Sequence, residues 1–233
     1  MKNSVKSKIS LVQLSLTVFY VIVMITSNLI SAQLISLPFK APFDSMTSAV
    51  IIFPIVCILS DLFQELFGYK WSRITCYFAF GMNIFVNLIT TLVAALPITG
   101  SGSEAFKTVF GITTGMGWCV LAASLTAFFF GDLLNDKIFA KLKTKHPDSY
   151  KGFGFRAVLS TLGGQILDSS IYLPFALVIF PKLFLGFSYV TVPTVIAMIV
   201  MQVIIKVAYE WVTLPLTKFV IKKVDALQKA DNY

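Results

Sequence analysis

The chain has 233 residues, of which 57% are hydrophobic and only 13% are charged. Soluble domains are about half apolar and about a quarter charged, so this composition excludes an ordinary soluble fold and predicts an integral membrane protein. The formal net charge of +8 comes from basic residues in short segments beside apolar runs. There they face anionic lipid headgroups, so we predict the lipid bilayer as a partner and no nucleic acid.

Six apolar runs are long enough to cross a bilayer, because a helical span needs about 20 residues. They leave little chain for a separate soluble domain, so we expect one transmembrane domain over residues 1–233. The predicted fold is all-α, a polytopic bundle of six transmembrane helices with weak 3+3 pseudosymmetry between its halves. The predicted spans are 11–36, 48–67, 73–97, 113–134, 157–181 and 191–221.

Basic residues are concentrated in alternate polar segments, which resist translocation across the membrane. The other segments hold only Lys40, Lys107 and Lys182. We therefore expect a multi-pass protein of the cell (inner) membrane with both termini in the cytoplasm. The basic residues on the predicted cytoplasmic side are Lys2, Lys6, Lys8, Lys70, Arg73, Lys137, Lys141, Lys143, Lys145, Lys151, Arg156, Lys218, Lys222, Lys223 and Lys229.

Polar residues inside the predicted spans begin in the first helix, where Asn28 follows Ser27. Asn83 and Asn87 supply similar amides in the third span. Such groups can bind a ligand, or they can tie helices together by hydrogen bonds.

Asp61 and Glu65 lie four residues apart in the second span, so both carboxylates project from one helical face. A charge at the centre of a membrane helix costs roughly 2.5 to 3.5 kcal/mol, so such groups usually face a partner, a wet cavity or a substrate. One interpretation is a pair that accepts hydrogen bonds from a donor-rich substrate or holds a proton. The alternative places Glu65 at the headgroups with Arg73 as its partner.

Gln165 and Asp168 follow two glycines in the fifth span. An amide that donates and accepts, beside a carboxylate that accepts, can bind a planar polar edge. The alternative is contact between helices through Gln165 and nearby serines. Asp132, near the predicted cytoplasmic end of the fourth span, is explained by a site or by interfacial solvation.

Lys206 lies between Gln202 and Glu210 at helical spacing in the sixth span. It can neutralise Asp168 or Asp61 across the bundle, bond a substrate carbonyl, or form a structural pair with Glu210. We expect Arg73, Asp132 and Glu210 to have structural or interfacial roles.

Signatures of common enzymes and of nucleotide binding are missing from the sequence, so we predict no enzyme and no cofactor. The three cysteines lie in apolar runs without metal-ligand spacing, which predicts no metal site. The single histidine, His146, lies in a basic polar segment and is expected to be solvated.

Several of these residues together resemble the queuosine precursor transporter family, also called the vitamin-uptake-transporter-like family. The resemblance runs from about residue 15 to 221, in the same order and with six spans. It rests on Ser27-Asn28, Phe53-Pro54, Asp61-x3-Glu65-x2-Gly68-x4-Arg73, Gly164-Gln165-x2-Asp168 and Lys206.

The resemblance implies import of 7-deazaguanines for queuosine synthesis in transfer RNA. The implied substrates are 7-cyano-7-deazaguanine, 7-aminomethyl-7-deazaguanine or queuine. Asp61, Glu65 or Asp168 would accept from the substrate's donors, while Gln165, Asn28 or Lys206 would serve its carbonyl. The alternatives are a vitamin-binding subunit energised by a separate ATPase, and a membrane-embedded enzyme or structural bundle. A homo-oligomer is compatible with each.

Overall fold

A computed structural model describes residues 11–31, 33–97, 112–145 and 149–230. Lys2, Lys6, Lys8, Lys107 and His146 lie outside the described residues, as do the expectations that depend on them.

Within the described residues, five helices are long and apolar enough to cross a membrane: residues 11–30, 69–95, 115–144, 154–184 and 192–223. The predicted all-α polytopic membrane fold is therefore confirmed. In chain order the helices are α1 Leu11–Ile30, α2 Phe53–Phe67, α3 Tyr69–Ala95, α4 Ile112–Lys145, α5 Ser149–Pro174, α6 Phe180–Phe184 and α7 Val192–Ala230.

The first predicted span is shorter than expected, because its last residues form a strand. β1 (Leu34–Ser36) pairs antiparallel with β2 (Ser45–Thr47), and this hairpin lies between α1 and α2. The Ser48 hydroxyl donates to the Gln33 carbonyl at 2.6 Å and so holds the hairpin at its base.

The second predicted span, 48–67, contains only a 15-residue α-helix, α2, after a 3-10 turn at Ser48–Ile51. At 1.5 Å per residue α2 is about 22 Å long, which is less than the roughly 30 Å of a bilayer's hydrocarbon core. Most of its residues are buried against other helices, including Asp61.

The other long helices extend beyond their predicted spans: α3 begins at Tyr69 instead of residue 73, and α7 continues past residue 221 to Ala230. α4 continues from the predicted end at residue 134 to Lys145, and α5 begins at Ser149 instead of residue 157. After Pro174, which lacks an N–H group, the chain continues through a π-helical turn at Phe175–Ile179 into α6. Between α2 and α3 the chain turns at Gly68, whose φ of 82° favours glycine.

Candidate polar site inside the helix bundle

A buried ion pair joins α5 to α7. Lys206 Nζ lies 2.9 Å from Asp168 Oδ2, and both side chains are less than a tenth exposed. Lys206 Nζ also lies 4.2 Å from the centroid of the Phe53 ring, a cation–π distance. Of the three pairings predicted for Lys206, the structure has the one with Asp168.

This ion pair lines a small cavity of about 20 Å³ beside the β-hairpin. That space holds about one water molecule, so a larger ligand would enter it only if the surrounding helices moved apart. Ser27, also in the wall, is buried, and within the described part of the chain its hydroxyl has no hydrogen-bond partner. The lining residues are Ser27, Asn28, Ser31, Thr47, Ala49, Val50, Phe53, Ser124, Asp168, Tyr172, Gln202 and Lys206.

A second, smaller cavity of about 10 Å³ shares Phe53 and Asp168 with the first. Gln165 lines it and donates from Nε2 to Cys57 Sγ at 2.8 Å, while its buried Oε1 has no partner. Asp132 and Asn135 also line this cavity. Asp168 thus lies on the wall that the two cavities share.

Two glycines allow α4 and α5 to approach closely enough to form this wall. A Cβ on Gly131 would lie 2.7 Å from Asp168 Cβ and 3.0 Å from the Gly164 carbonyl oxygen. A Cβ on Gly164 would lie 2.8 Å from Asn135 Cβ. The absence of a side chain at Gly131 and Gly164 therefore lets the two helices approach closely, and this contact positions both Asp168 and Asn135.

Asn28 connects three helices at the first cavity. Its Nδ2 donates to Asn83 Oδ1 at 3.0 Å, and its Oδ1 accepts from the Ser124 hydroxyl at 2.7 Å. Asn28 therefore ties α1 to α3 and α4, as the helix-contact interpretation requires. It also lines the cavity, where the ligand-binding interpretation would place it.

Asp61 lies apart from both cavities, in a separate buried cluster. Its carboxylate accepts from Asn135 Nδ2 at 2.9 Å and from the Thr161 hydroxyl at 3.4 Å. Glu210 of α7 lies against Asp61 and Thr161. Asn135 belongs to this cluster and to the second cavity, so it joins the two.

Glu65 also lies away from the cavities and forms two ion pairs with residues of α4 and α5. Its carboxylate lies 3.0 Å from Arg156 and 3.2 Å from Lys143. The Glu65 side chain is only 3% exposed and its partners are Arg156 and Lys143, so the pairing with Arg73 that the alternative required is not present.

Arg73 instead contacts two acidic residues of α4. It bonds directly to Asp132, and its guanidinium lies 2.7 Å from the Asp136 carboxylate. Asp132 is buried, so interfacial solvation does not account for it. The three residues form a compact structural cluster, and Asp132 also extends to the wall of the second cavity.

Sequence reasoning missed Asn135, Asp136 and Arg156 as parts of the buried network. The first two follow the predicted end of the fourth span, and Arg156 was assigned to a loop. One sequence feature could have indicated this part of the network. Asp132 and Asp136 are four residues apart, the same interval that separates Asp61 and Glu65.

Long apolar helices around a buried, charged interior define a polytopic membrane protein, and such intramembrane charges commonly mark a substrate or ion pathway. A family model described as "Putative vitamin uptake transporter" matches residues 47–220, well over half of the chain. The chain belongs to this family, which includes queuosine precursor transporters, and the resemblance seen in the sequence is confirmed. No curated protein and no solved structure was found to match the chain. The protein is thus a membrane transporter whose family takes up vitamin-like small molecules.

Proposed function

We propose that the protein imports 7-deazaguanine precursors of queuosine across the cell membrane, with both termini in the cytoplasm. The substrate would be 7-cyano-7-deazaguanine, 7-aminomethyl-7-deazaguanine or queuine. The observation that carries this proposal is the buried Asp168–Lys206 pair, which lines a small cavity that would have to widen to admit the substrate.

The chemistry of the pair matches one edge of such a base. A guanine-like edge presents an N–H and an amino group beside a carbonyl, so it needs an acceptor next to a donor. Asp168 supplies the acceptor and Lys206 the donor, 2.9 Å apart. A substrate that bonds to both would replace part of their mutual contact and leave neither charge unpaired.

The remaining walls suit a flat polar solute. Phe53 and Tyr172 supply aromatic surface in the first cavity. Ser27 Oγ there and Gln165 Oε1 in the second cavity are buried without partners, so a ligand can satisfy both groups. Asn28, already bonded to two neighbours, would fix the shape of the pocket and present its amide to the ligand.

The test is queuosine formation in a bacterial strain that cannot make the precursor and is fed 7-cyano-7-deazaguanine. Wild-type protein should restore queuosine in transfer RNA, and D168N and K206M should each reduce uptake at least about tenfold. That loss corresponds to one charge-assisted hydrogen bond. The matched controls are D44N and K40M, which remove an exposed acid and an exposed base. Full activity of D168N and K206M at equal membrane levels would contradict the assignment of the pocket.

A substrate-binding subunit driven by a separate ATPase is the second candidate, because the matching family is described by vitamin uptake. Copurification with an ATPase would favour it. Uptake by proteoliposomes that contain only this chain would exclude it.

A further inference from the structure

Two acidic side chains meet inside the bundle without a cation between them. Asp61 of α2 and Glu210 of α7 lie side by side, and they are 1% and 4% exposed. Two carboxylates in contact repel each other strongly when water is excluded. A buried pair of this kind therefore cannot keep both negative charges and shares a proton. Neither residue lines the two cavities.

The other buried charges near this pair already have partners. Lys206, one turn from Glu210 on α7, is paired with Asp168 of α5. Asp132 and Asp136 of α4 are paired with Arg73 of α3. Glu65, one turn from Asp61 on α2, is paired with Arg156 and Lys143. Among the described residues, no lysine or arginine forms an ion pair with Asp61 or Glu210.

Among the described residues, two buried oxygen atoms on this pair and on the amide that bonds Asp61 lack a hydrogen-bond donor. They are Glu210 Oε2 and Asn135 Oδ1, on residues that are 4% and 5% exposed. A buried acceptor without a donor is destabilising, because it has lost its hydrogen bonds to water. A proton on the carboxyl pair adds one O–H donor among these acceptors and removes one negative charge, which relieves both costs.

We propose that Asp61 and Glu210 share one exchangeable proton and form the site at which a proton is bound and released during transport. The inference rests on the proposed transport function. The proton is taken from water on the outer side and returned to water on the inner side. The substrate is unchanged, and no other reactant is consumed.

Asn135 supplies the link between this proton and the substrate. Its Nδ2 donates to Asp61 at 2.9 Å, while the same side chain lines the second cavity beside Gln165. If bound substrate rotates the Asn135 amide, Asp61 loses the hydrogen bond from Nδ2. A proton on the carboxyl pair then replaces the lost hydrogen-bond donor. Substrate and proton therefore favour each other's binding.

The proton itself can be detected without substrate. Purified wild-type protein at neutral pH should show the infrared C=O stretch of buried carboxylic acids. Difference spectra should show that D61N and E210Q each remove or shift one component of this band, beside any component from Asp132 and Asp136, which share Arg73 as their cation. The matched control is D44N, which replaces an exposed acid and should keep the band. A spectrum that is the same in wild type, D61N and E210Q would overturn the shared proton.

Coupling is tested in proteoliposomes with the membrane voltage clamped at zero and labelled 7-cyano-7-deazaguanine outside. An inside-alkaline gradient should drive accumulation, up to about tenfold for each pH unit if one proton moves with each substrate. In E210Q, accumulation of the labelled substrate should be the same with and without the pH gradient. D44N should accumulate substrate as wild type does.

The outcomes separate this inference from the proposed function. Substrate exchange that is unchanged by the pH gradient would overturn proton coupling, and so would exchange driven by a sodium gradient at equal pH. Either result would leave the proposed transport function intact. Absence of any exchange would count against the proposed function, and the infrared band would then decide whether the shared proton exists.

Discussion

Lys206 Nζ and Asp168 Oδ2 lie 2.9 Å apart where α5 meets α7, and each side chain is almost fully withdrawn from solvent. Removing one partner of a buried pair strands the other charge, which typically costs about 3 to 5 kcal/mol, whereas removing both costs far less. We therefore expect K206M to unfold at a clearly lower temperature than wild type in detergent, and the double variant K206M/D168N to recover most of that loss.

A thiol-reactive dye can follow this unfolding, because Cys57, Cys76 and Cys119 are buried and become reactive as the protein opens. The control is K40M, an exposed lysine. Equal destabilisation of the single and the double variant would show that the two charges do not stabilise each other.

Close packing of α4 on α5 depends on two glycines. G131A and G164A each place a methyl group within 3.0 Å of a neighbouring carbon or carbonyl oxygen. Overpacking of this kind costs about 1 to 3 kcal/mol, so both variants should unfold earlier and show weaker substrate uptake. The matched control is G81A in α3, where an added Cβ meets nothing within 4 Å. A G131A protein as stable and active as G81A would disprove this role of the glycine contact.

Arg73 holds two acidic side chains of α4 together. R73M should lose about 3 to 5 kcal/mol of stability, because Asp132 and Asp136 would remain buried without their cation. R73K should restore only part of it, since an ammonium lacks the planar fork that reaches two carboxylates. K70M, which removes an exposed base from the same helix, should change stability by less than about 0.5 kcal/mol. Thermal melts of the four proteins provide the comparison.

Cys57 reports on occupancy of the second cavity, because it lies in the wall beside Gln165. In a C76S/C119S background, bound 7-cyano-7-deazaguanine should slow the reaction of Cys57 with a membrane-permeant maleimide several-fold. The companion variant C57S/C76S keeps only Cys119, which lines neither cavity, and its labelling should not respond to substrate. Equal protection of Cys57 and Cys119 would indicate a global effect in place of binding near Cys57.

The sequence predicted the helices well because a 20-residue apolar run has few alternatives in a membrane. Their ends were predicted less well, for reasons that particular residues show. Leu34–Ser36 is apolar enough to extend α1, but pairing with Ser45–Thr47 makes it a strand. Asn135 and Asp136 look like the end of a span, yet α4 continues for ten residues past Asn135 because neighbouring helices bury and bond those side chains.

The candidate site was predictable in kind but not in its pairings. Asp61, Asp168 and Lys206 lie deep in apolar runs, so inserting their charges into a membrane costs free energy. This insertion cost can be recognised from the sequence without knowing which partner each residue has. Which acid faces Lys206 depends on how α5 and α7 cross, and the sequence does not carry that geometry. The same holds for Glu65, whose partner Arg156 lies 91 positions away.

The central claim is that the cavity beside Asp168 and Lys206 receives a 7-deazaguanine for transport. The most direct measurement is the initial uptake of labelled 7-cyano-7-deazaguanine into proteoliposomes that contain the purified chain, with wild type and D168N matched for folded protein. The account predicts saturable uptake by wild type, competed by unlabelled 7-aminomethyl-7-deazaguanine, and at least about tenfold slower uptake by D168N. Wild-type uptake no faster than that of empty liposomes, or equal uptake by D168N, would contradict it.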